Sequence, residues 1–380
     1  MSAMARDDAP AAVAATTTAA ATTQDERDQL RAAVREFAAR MAGQPEDKVW
    51  RQLTEQLGVT ALAVPAGYGG DGFGFAELSV VLEELGRALT PGPFFGTVVL
   101  AGSALLCCGD EQARSRYLPG IATGQTTATL AVTEAAGRWS ADGLTTLASQ
   151  TDHGWTITGE KCFVIDGASA ELLLVVAGTP DGAGLFAVEA AGAAGLSREP
   201  LTSLDPSRPL ARITFAGVPA ELIGEPGGAT AVLEQVQTRA TAALAAEQVG
   251  GIQACLEAST GYARERMQFG RPIGSFQAVK HKCADMYARG QLAAAAAAEA
   301  ALAIDGAEGA PEAGLAAAVA HAVCSEAYMF VAAENIQVHG GIAFTWEHPA
   351  HRYFRRAKSS QLLFGGPGEY FERLLLRAGV

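Results

Sequence analysis

Residues 264–281 read Arg-Glu-Arg-Met-Gln-Phe-Gly-Arg-Pro-Ile-Gly-Ser-Phe-Gln-Ala-Val-Lys-His. The stretch interrupts a long helical region with a compact set of anion- and ring-binding groups. Arg264 and Arg266 carry fixed positive charge, and Phe269 is an apolar plate. Gly270 and Pro272 mark a turn, and Gln277 is an amide that both donates and accepts. Together they suit a ligand with phosphate and aromatic parts. Later, Gln337-Val-His-Gly-Gly-Ile adds a Gly-Gly turn. Without a Cβ, such a turn brings backbone close to a ligand.

The surroundings of these two segments are helical. The pattern predicts one long helix over 230–265, a second over 274–304 with an Ala-rich middle, and a loop at Asp305–Pro311. A third helix follows over 312–338, with more from 347. Long antiparallel helices joined by short loops predict a bundle. Toward the N-terminus, residues 24 to about 124 are also helical. Leu30, Val34 and Phe37 fall on one stripe, and residues 75–89 form an amphipathic helix stopped by Thr90-Pro-Gly-Pro. Between the helical regions lie short β-type runs: Ala128–Thr133, Leu144–Gln150, Gly154–Thr158, Leu172–Ala177, Phe186–Val188 and Ala211–Phe215. They predict a small β-barrel or sandwich of roughly 100 residues. The expected division is a disordered leader (1–22), an N-terminal helical domain (23–124), a middle β domain (125–228) and a C-terminal four-helix bundle (229–380). The fold class is therefore α+β multidomain.

A chain of 380 residues that is 49 % apolar is long enough for two or three domains with a sizeable core. Its net charge of −13 argues against nucleic acid as a partner. The six cysteines show no metal-like spacing, so no metal site is expected, and buried free thiols fit a reducing cytoplasm. No charge-free apolar run approaches the roughly 20 residues of a membrane span.

Helical, β and helical-bundle segments in this order, with Arg266-Met-Gln-Phe-Gly-Arg-Pro-Ile and Gln337-Val-His-Gly-Gly, closely resemble the acyl-CoA dehydrogenase family. The resemblance covers nearly the whole chain from residue 24. Gly58 to Gly70, Leu130-Ala-Val-Thr-Glu and Gly154 to Gly167 also look like family segments. It implies an oxidoreductase acting on CH–CH bonds in lipid catabolism of the β-oxidation type, with FAD bound between subunits. An acyl-CoA substrate, an electron-transfer flavoprotein as acceptor and a homo- or heterotetramer (α2β2) follow from the same resemblance. The family branch suggested handles bulky acyl groups such as steroid side chains.

Carried over residue by residue, the resemblance makes Thr133 a hydrogen-bond donor to the flavin and sets Phe163 beside the ring. Ser140 falls near a phosphate-holding serine. Arg266 would pair with the FAD pyrophosphate of a neighbouring subunit, with Phe269 alongside and Gln277 near the adenosine half. Gln337, Gly340 and Gly341 would approach the pyrophosphate. Two departures stand out: Ile165 replaces a threonine that often bonds the flavin, and Ala135-Ala-Gly-Arg-Trp-Ser replaces a Pro-Gly-rich loop.

Family chemistry needs a carboxylate to take the α-proton while the β-hydrogen leaves as hydride. The usual glutamate position falls on Phe364, which cannot accept a proton. An alternative family position falls on Ala240. Glu247 lies seven residues on, about two turns, and on nearly the same helix face. Its small apolar neighbours suggest burial, a raised pKa and space for an acyl chain, which makes Glu247 the leading candidate base. Glu369 is the second candidate, although it also suits a helix N-terminus. Arg239 suits either a CoA phosphate or Glu234, and His281 and His339 read as structural or cofactor-flanking. The alternative reading is a non-catalytic subunit that completes its partner's FAD site.

Overall fold

The computed structural model describes residues 22–306 and 311–377. The expected leader lies outside these residues up to position 21, as does most of the expected loop after Asp305. The chain builds an N-terminal helical layer, a middle β domain and a C-terminal helical bundle.

The first layer contains α1 (Gln24–Met41), α2 (Glu46–Gln52), α3 (Phe75–Arg87), α4 (Gly102–Cys107) and α5 (Glu111–Ala122). A wider-wound turn, Phe95–Ala101, leads into α4. Thr23 caps α1, its side chain accepting from Glu26 N while the Glu26 carboxylate accepts from Thr23 N. Val34 and Phe37 of the expected stripe are buried. Glu84 of α3 is fully buried and accepts both arms of Arg35 at 2.7 and 2.8 Å, which ties α1 to α3.

The middle domain has seven strands: β1 (Ala128–Ala131), β2 (Leu147–Thr151), β3 (Gly154–Ile165), β4 (Leu172–Thr179), β5 (Gly182–Glu189), β6 (Leu196–Leu201) and β7 (Leu210–Ile223). Pairing runs β4–β5–β7–β3–β2 and returns to β4 through Leu147–Gly178. The ring is therefore closed, which settles barrel over sandwich. Strand β4 is buried on both faces. Leu173, Val175 and Ala177 join the barrel interior, while Leu172, Leu174 and Val176 pack into the helical core. Strand β6 was not expected. Its sequence, Leu-Ser-Arg-Glu-Pro-Leu, lacks apolar alternation, and pairing to β7 is what makes it a strand.

The bundle contains α6 (Ala229–Glu265), α7 (Gln277–Gly306), α8 (Pro311–His339), α9 (Ala350–Leu362) and α10 (Pro367–Arg377). A two-stranded turn, β8 (Met267–Gln268) and β9 (Arg271–Pro272), joins α6 to α7. By length and composition, the stretch Glu312–Phe344 would suit a membrane span. Here α8 packs against α6, α7, α9 and α10.

Helices α3 and α6 cross closely because each presents a glycine. A Cβ on Gly250 would stand 1.8 Å from the Glu83 carbonyl oxygen, and one on Gly86 would stand 2.2 Å from that of Glu247. Backbone on the far side cannot yield as a flexible side chain would. Gly250→Ala is therefore expected to lower stability by about 1–3 kcal/mol or more through overpacking. The urea midpoint measures it, and an unchanged midpoint would contradict this packing.

Candidate active site

A cavity of about 500 Å³ opens where the barrel meets the bundle, walled by Thr133, Trp139, Phe163, Ile165, Leu363 and Phe364 among others. Its barrel wall follows from an irregularity in β3. Pairing with β7 shifts register between Lys161 and Val164, so Cys162 and Phe163 sit in a bulge. Cys162 N donates to Thr133 O at 2.9 Å, and Thr133 Oγ1 donates to Cys162 O at 2.6 Å. Phe163 is thereby forced to φ +58° and presents its ring with 45 % of its surface exposed. Thr133 thus reaches the cavity edge with its hydroxyl proton already engaged.

The loop after β1 forms another wall and is pinned by Glu134. That carboxylate accepts from Thr145 N, Thr145 Oγ1, Thr146 N and Lys161 Nζ at 2.6 to 2.9 Å. Partial burial alone would raise its pKa, but the bonds from Thr145, Thr146 and Lys161 hold it down to about 2. The loop delivers Trp139 to the cavity, which the sequence did not suggest. Ser140 instead accepts from Asp142 N at 3.0 Å and is absent from the cavity wall.

The bundle wall is aromatic. Phe364 meets the Trp139 ring edge-on at 4.9 Å and stacks with Phe95 at 6.2 Å and 19°. Its backbone is left-handed at φ +62°, and its carbonyl accepts from Tyr370 OH at 2.8 Å and Gln237 Nε2 at 3.3 Å. Glu369 begins α10 and accepts from Gly366 N at 3.3 Å, as a helix-start residue would.

Glu247 lies behind this wall, and here the structure corrects the expected rise in its pKa. Its carboxylate accepts from Arg208 Nη2 at 2.5 Å and from Arg356 Nη1 at 2.7 Å. Arg356 also donates to Asp205 Oδ2 at 2.5 Å and to Ser207. Two carboxylates and two guanidinium groups thus form a buried neutral quartet. Burial alone would raise the Glu247 pKa, but Arg208 and Arg356 outweigh it, and the pKa lies below the ordinary value of 4.5. The expected space for an acyl chain is also missing. The space beside Glu247 is about 30 Å³, room for a water or two.

The remaining candidates gather at the other end of the bundle. Arg266 ends α6, Gln277 begins α7, and Gln337, Gly340 and Gly341 lie at the end of α8. Tyr262 and His339 rings at 4.5 Å, and Ser259 Oγ donating to Asn335 at 2.9 Å, hold α6 and α8 together there. His339 is buried, its Nδ1 2.8 Å from Asn335 O, whereas His281 is exposed beside Gln277. Arg266, Gln277, Gln337 and Gly341 are exposed, and Phe269, at φ +52°, exposes 90 % of its surface. Arg239 is elsewhere, its guanidinium 5.5 Å above the Phe75 ring. Gln237, which touches Phe364, and Arg266 are 29 positions apart along one helix, or about 40 Å.

The cavity suits a flat, largely apolar ring, and the outward arm suits a phosphate anion. Asp205, Arg208 and Arg356 escaped the sequence reading because charges on a loop and on α9 meet Glu247 only after folding. A buried arginine on the inner face of α9 was the one available hint.

Glu247→Gln leaves two buried guanidinium groups sharing the single carboxylate of Asp205, so it is expected to cost about 3–5 kcal/mol at neutral pH. Because the folded pKa is depressed, the carboxylate's contribution is complete above 4.5 and is lost as pH falls through the folded value. Denaturation of parent and variant across that range checks both claims. A difference that does not shrink on the acid side would contradict the clamp.

Known proteins agree with this architecture. Residues 24–125 match the acyl-CoA dehydrogenase N-terminal domain and residues 227–379 the acyl-CoA dehydrogenase C-terminal domain. The chain is 35 % identical to acyl-CoA dehydrogenase IpdE2 of Mycobacterium tuberculosis, covering 92 % of this chain and 96 % of that one. It is 33 % identical to acyl-CoA dehydrogenase FadE27 of the same organism, covering 86 % and 87 %. Among solved structures, a variant of the Tcur3481–Tcur3483 steroid ACAD superposes with a TM-score of 0.82 at 32 % identity, covering 93 % of this chain and 98 % of that one. The ChsE4–ChsE5 complex from Mycobacterium tuberculosis superposes at 0.83 and 29 %, covering 94 % and 98 %. The chain belongs to the acyl-CoA dehydrogenase family, whose members are FAD-binding oxidoreductases that act on CH–CH bonds.

Proposed function

We propose that this chain is the base-deficient subunit of a heterotetrameric acyl-CoA dehydrogenase that acts on bulky acyl-CoA thioesters of the steroid side-chain type. The observation that carries this reading is the Glu247 clamp. A general base needs a lone pair within hydrogen-bond reach of the α-proton. Both Glu247 oxygens instead accept from guanidinium groups. Protonating Glu247 would leave Arg208 and Arg356 facing Asp205 alone. Phe364 fills the other family position with an aromatic ring. The carboxylate that removes the α-proton then belongs to a partner subunit.

In this reading the outward arm is the chain's contribution to its partner's site. Arg266 pairs with the pyrophosphate, Phe269 packs beside the cofactor and Gln277 lies near the adenosine half. Gln337, Gly340 and Gly341 offer amides to the pyrophosphate. Thr133 and Phe163 line the ring side of this chain's own cavity, and Ser140 steadies the neighbouring loop. FAD, when bound, supplies the hydride acceptor. The placement of cavity and arm at different ends of the bundle supports sharing between subunits, as do relatives whose names join two components. An electron-transfer flavoprotein as the final acceptor, and a reducing cytoplasm for six free thiols, complete the proposal.

The test is an anaerobic titration with a panel of acyl-CoAs, following flavin absorbance, on the chain alone and with the chain encoded beside it. Bleaching is expected only in the mixed assembly, with Arg266→Ala lowering its FAD content. Bleaching of the chain alone, abolished by a folded Glu247→Gln, would make Glu247 the base and overturn the proposal.

A further inference from the structure

Arg356 is saturated by Asp205, Ser207 and Glu247. Arg208 is held differently. One arm is bound to Glu247, and the other donates to Ser360 Oγ at a longer 3.3 Å. Its carbon centre lies 4.9 Å from the Phe95 ring centroid. Phe95 stacks on Phe364, and Phe364 meets Trp139. An unbroken line of contacts therefore runs from the Glu247 carboxylate to the ring cavity. Each link is directional: guanidinium on carboxylate, cation over ring, ring on ring, ring edge on ring.

At the far end the anchors hold backbone, while the Phe364 and Trp139 rings meet each other and Phe364 meets Phe95. Glu134 pins the Trp139 loop, and Tyr370 and Gln237 hold the strained backbone of Phe364. The Phe95 ring is buried in the helical core, with Arg208 on one side and Phe364 on the other. We propose that Arg208 is a positioning residue for the ring cavity: clamped by Glu247, it sets Phe95 and through it the Phe364–Trp139 wall. Glu247 then serves the cavity as the anchor of Arg208. This rests on reading Glu247 as an anchor, not a base.

Arg208→Lys keeps a cation for Glu247 but gives up the planar group that lies over Phe95. Phe95→Leu breaks the next link and leaves the quartet intact. The probe is near-ultraviolet circular dichroism of the full chain without cofactor or substrate, so its outcome is separate from that of the acyl-CoA titration. The Trp139 contribution is isolated by subtracting the matching Trp139→Phe spectrum, since three other tryptophans are present. Each single substitution is expected to abolish most of the Trp139 band, and the double variant to lose no more than either alone. A Trp139 band that persists in Arg208→Lys, or losses that add, would overturn the proposal. If Arg208→Lys does not fold, Phe95→Leu decides: loss of the band supports the relay and an unchanged band refutes it.

Discussion

The Glu247 carboxylate held between two guanidinium groups is the interaction on which the site depends. Its partners come from separate parts of the fold: Arg208 from the segment between β6 and β7, Arg356 from α9, and Glu247 from α6. Asp205 completes the charge balance, and Phe95 brings in the N-terminal layer through its contact with Arg208. Burying four charges carries a large desolvation cost, met here by mutual attraction and a nearly full set of hydrogen bonds. Such a network tolerates little change, because removing one member strands its partner in a medium that cannot solvate it. A carboxylate stabilised this strongly as an anion is a poor acceptor for a weakly acidic carbon-bound proton.

Three of the five left-handed non-glycine residues among the described residues are phenylalanines of the ring cavity and the outward arm. Phe163, Phe269 and Phe364 are all left-handed, a conformation that bulky residues avoid. Each costs on the order of 1–3 kcal/mol and persists because its surroundings over-determine it. For Phe163 the determinant is the β3 bulge bonded to Thr133. For Phe364 it is the pair of donors on its carbonyl. For Phe269 it is the tight β8–β9 turn, which leaves the ring exposed. Two of the three face the ring cavity, and the third stands on the outward arm.

Much of the fold was legible along the chain. The stripe in α1, the long helices and most strands follow from local periodicity, because burial on one face imposes a 3.6- or 2-residue repeat. Strand β6 was not legible, since an exposed edge segment needs no apolar alternation. The Phe364 substitution could also be seen, because a missing carboxylate is a fact of composition. The fate of Glu247 could not. Its small neighbours on α6 suggested an apolar pocket, but they are buried in helix packing, with Gly250 against α3. The groups that set its pKa lie 39 and 109 residues away in sequence.

The sequence by itself therefore determined the order of layers, the arginine and glycine segments that face outward, and the absence of a carboxylate at position 364. These depend on local periodicity and residue identity, which a linear pattern carries. Only the tertiary structure decided which charges Glu247 meets, that Trp139 walls the cavity with Phe95 stacked behind Phe364, and that cavity and arm lie at different ends of the bundle. Those are properties of distances between remote segments, and electrostatic energy inside a protein is set by such distances and by burial.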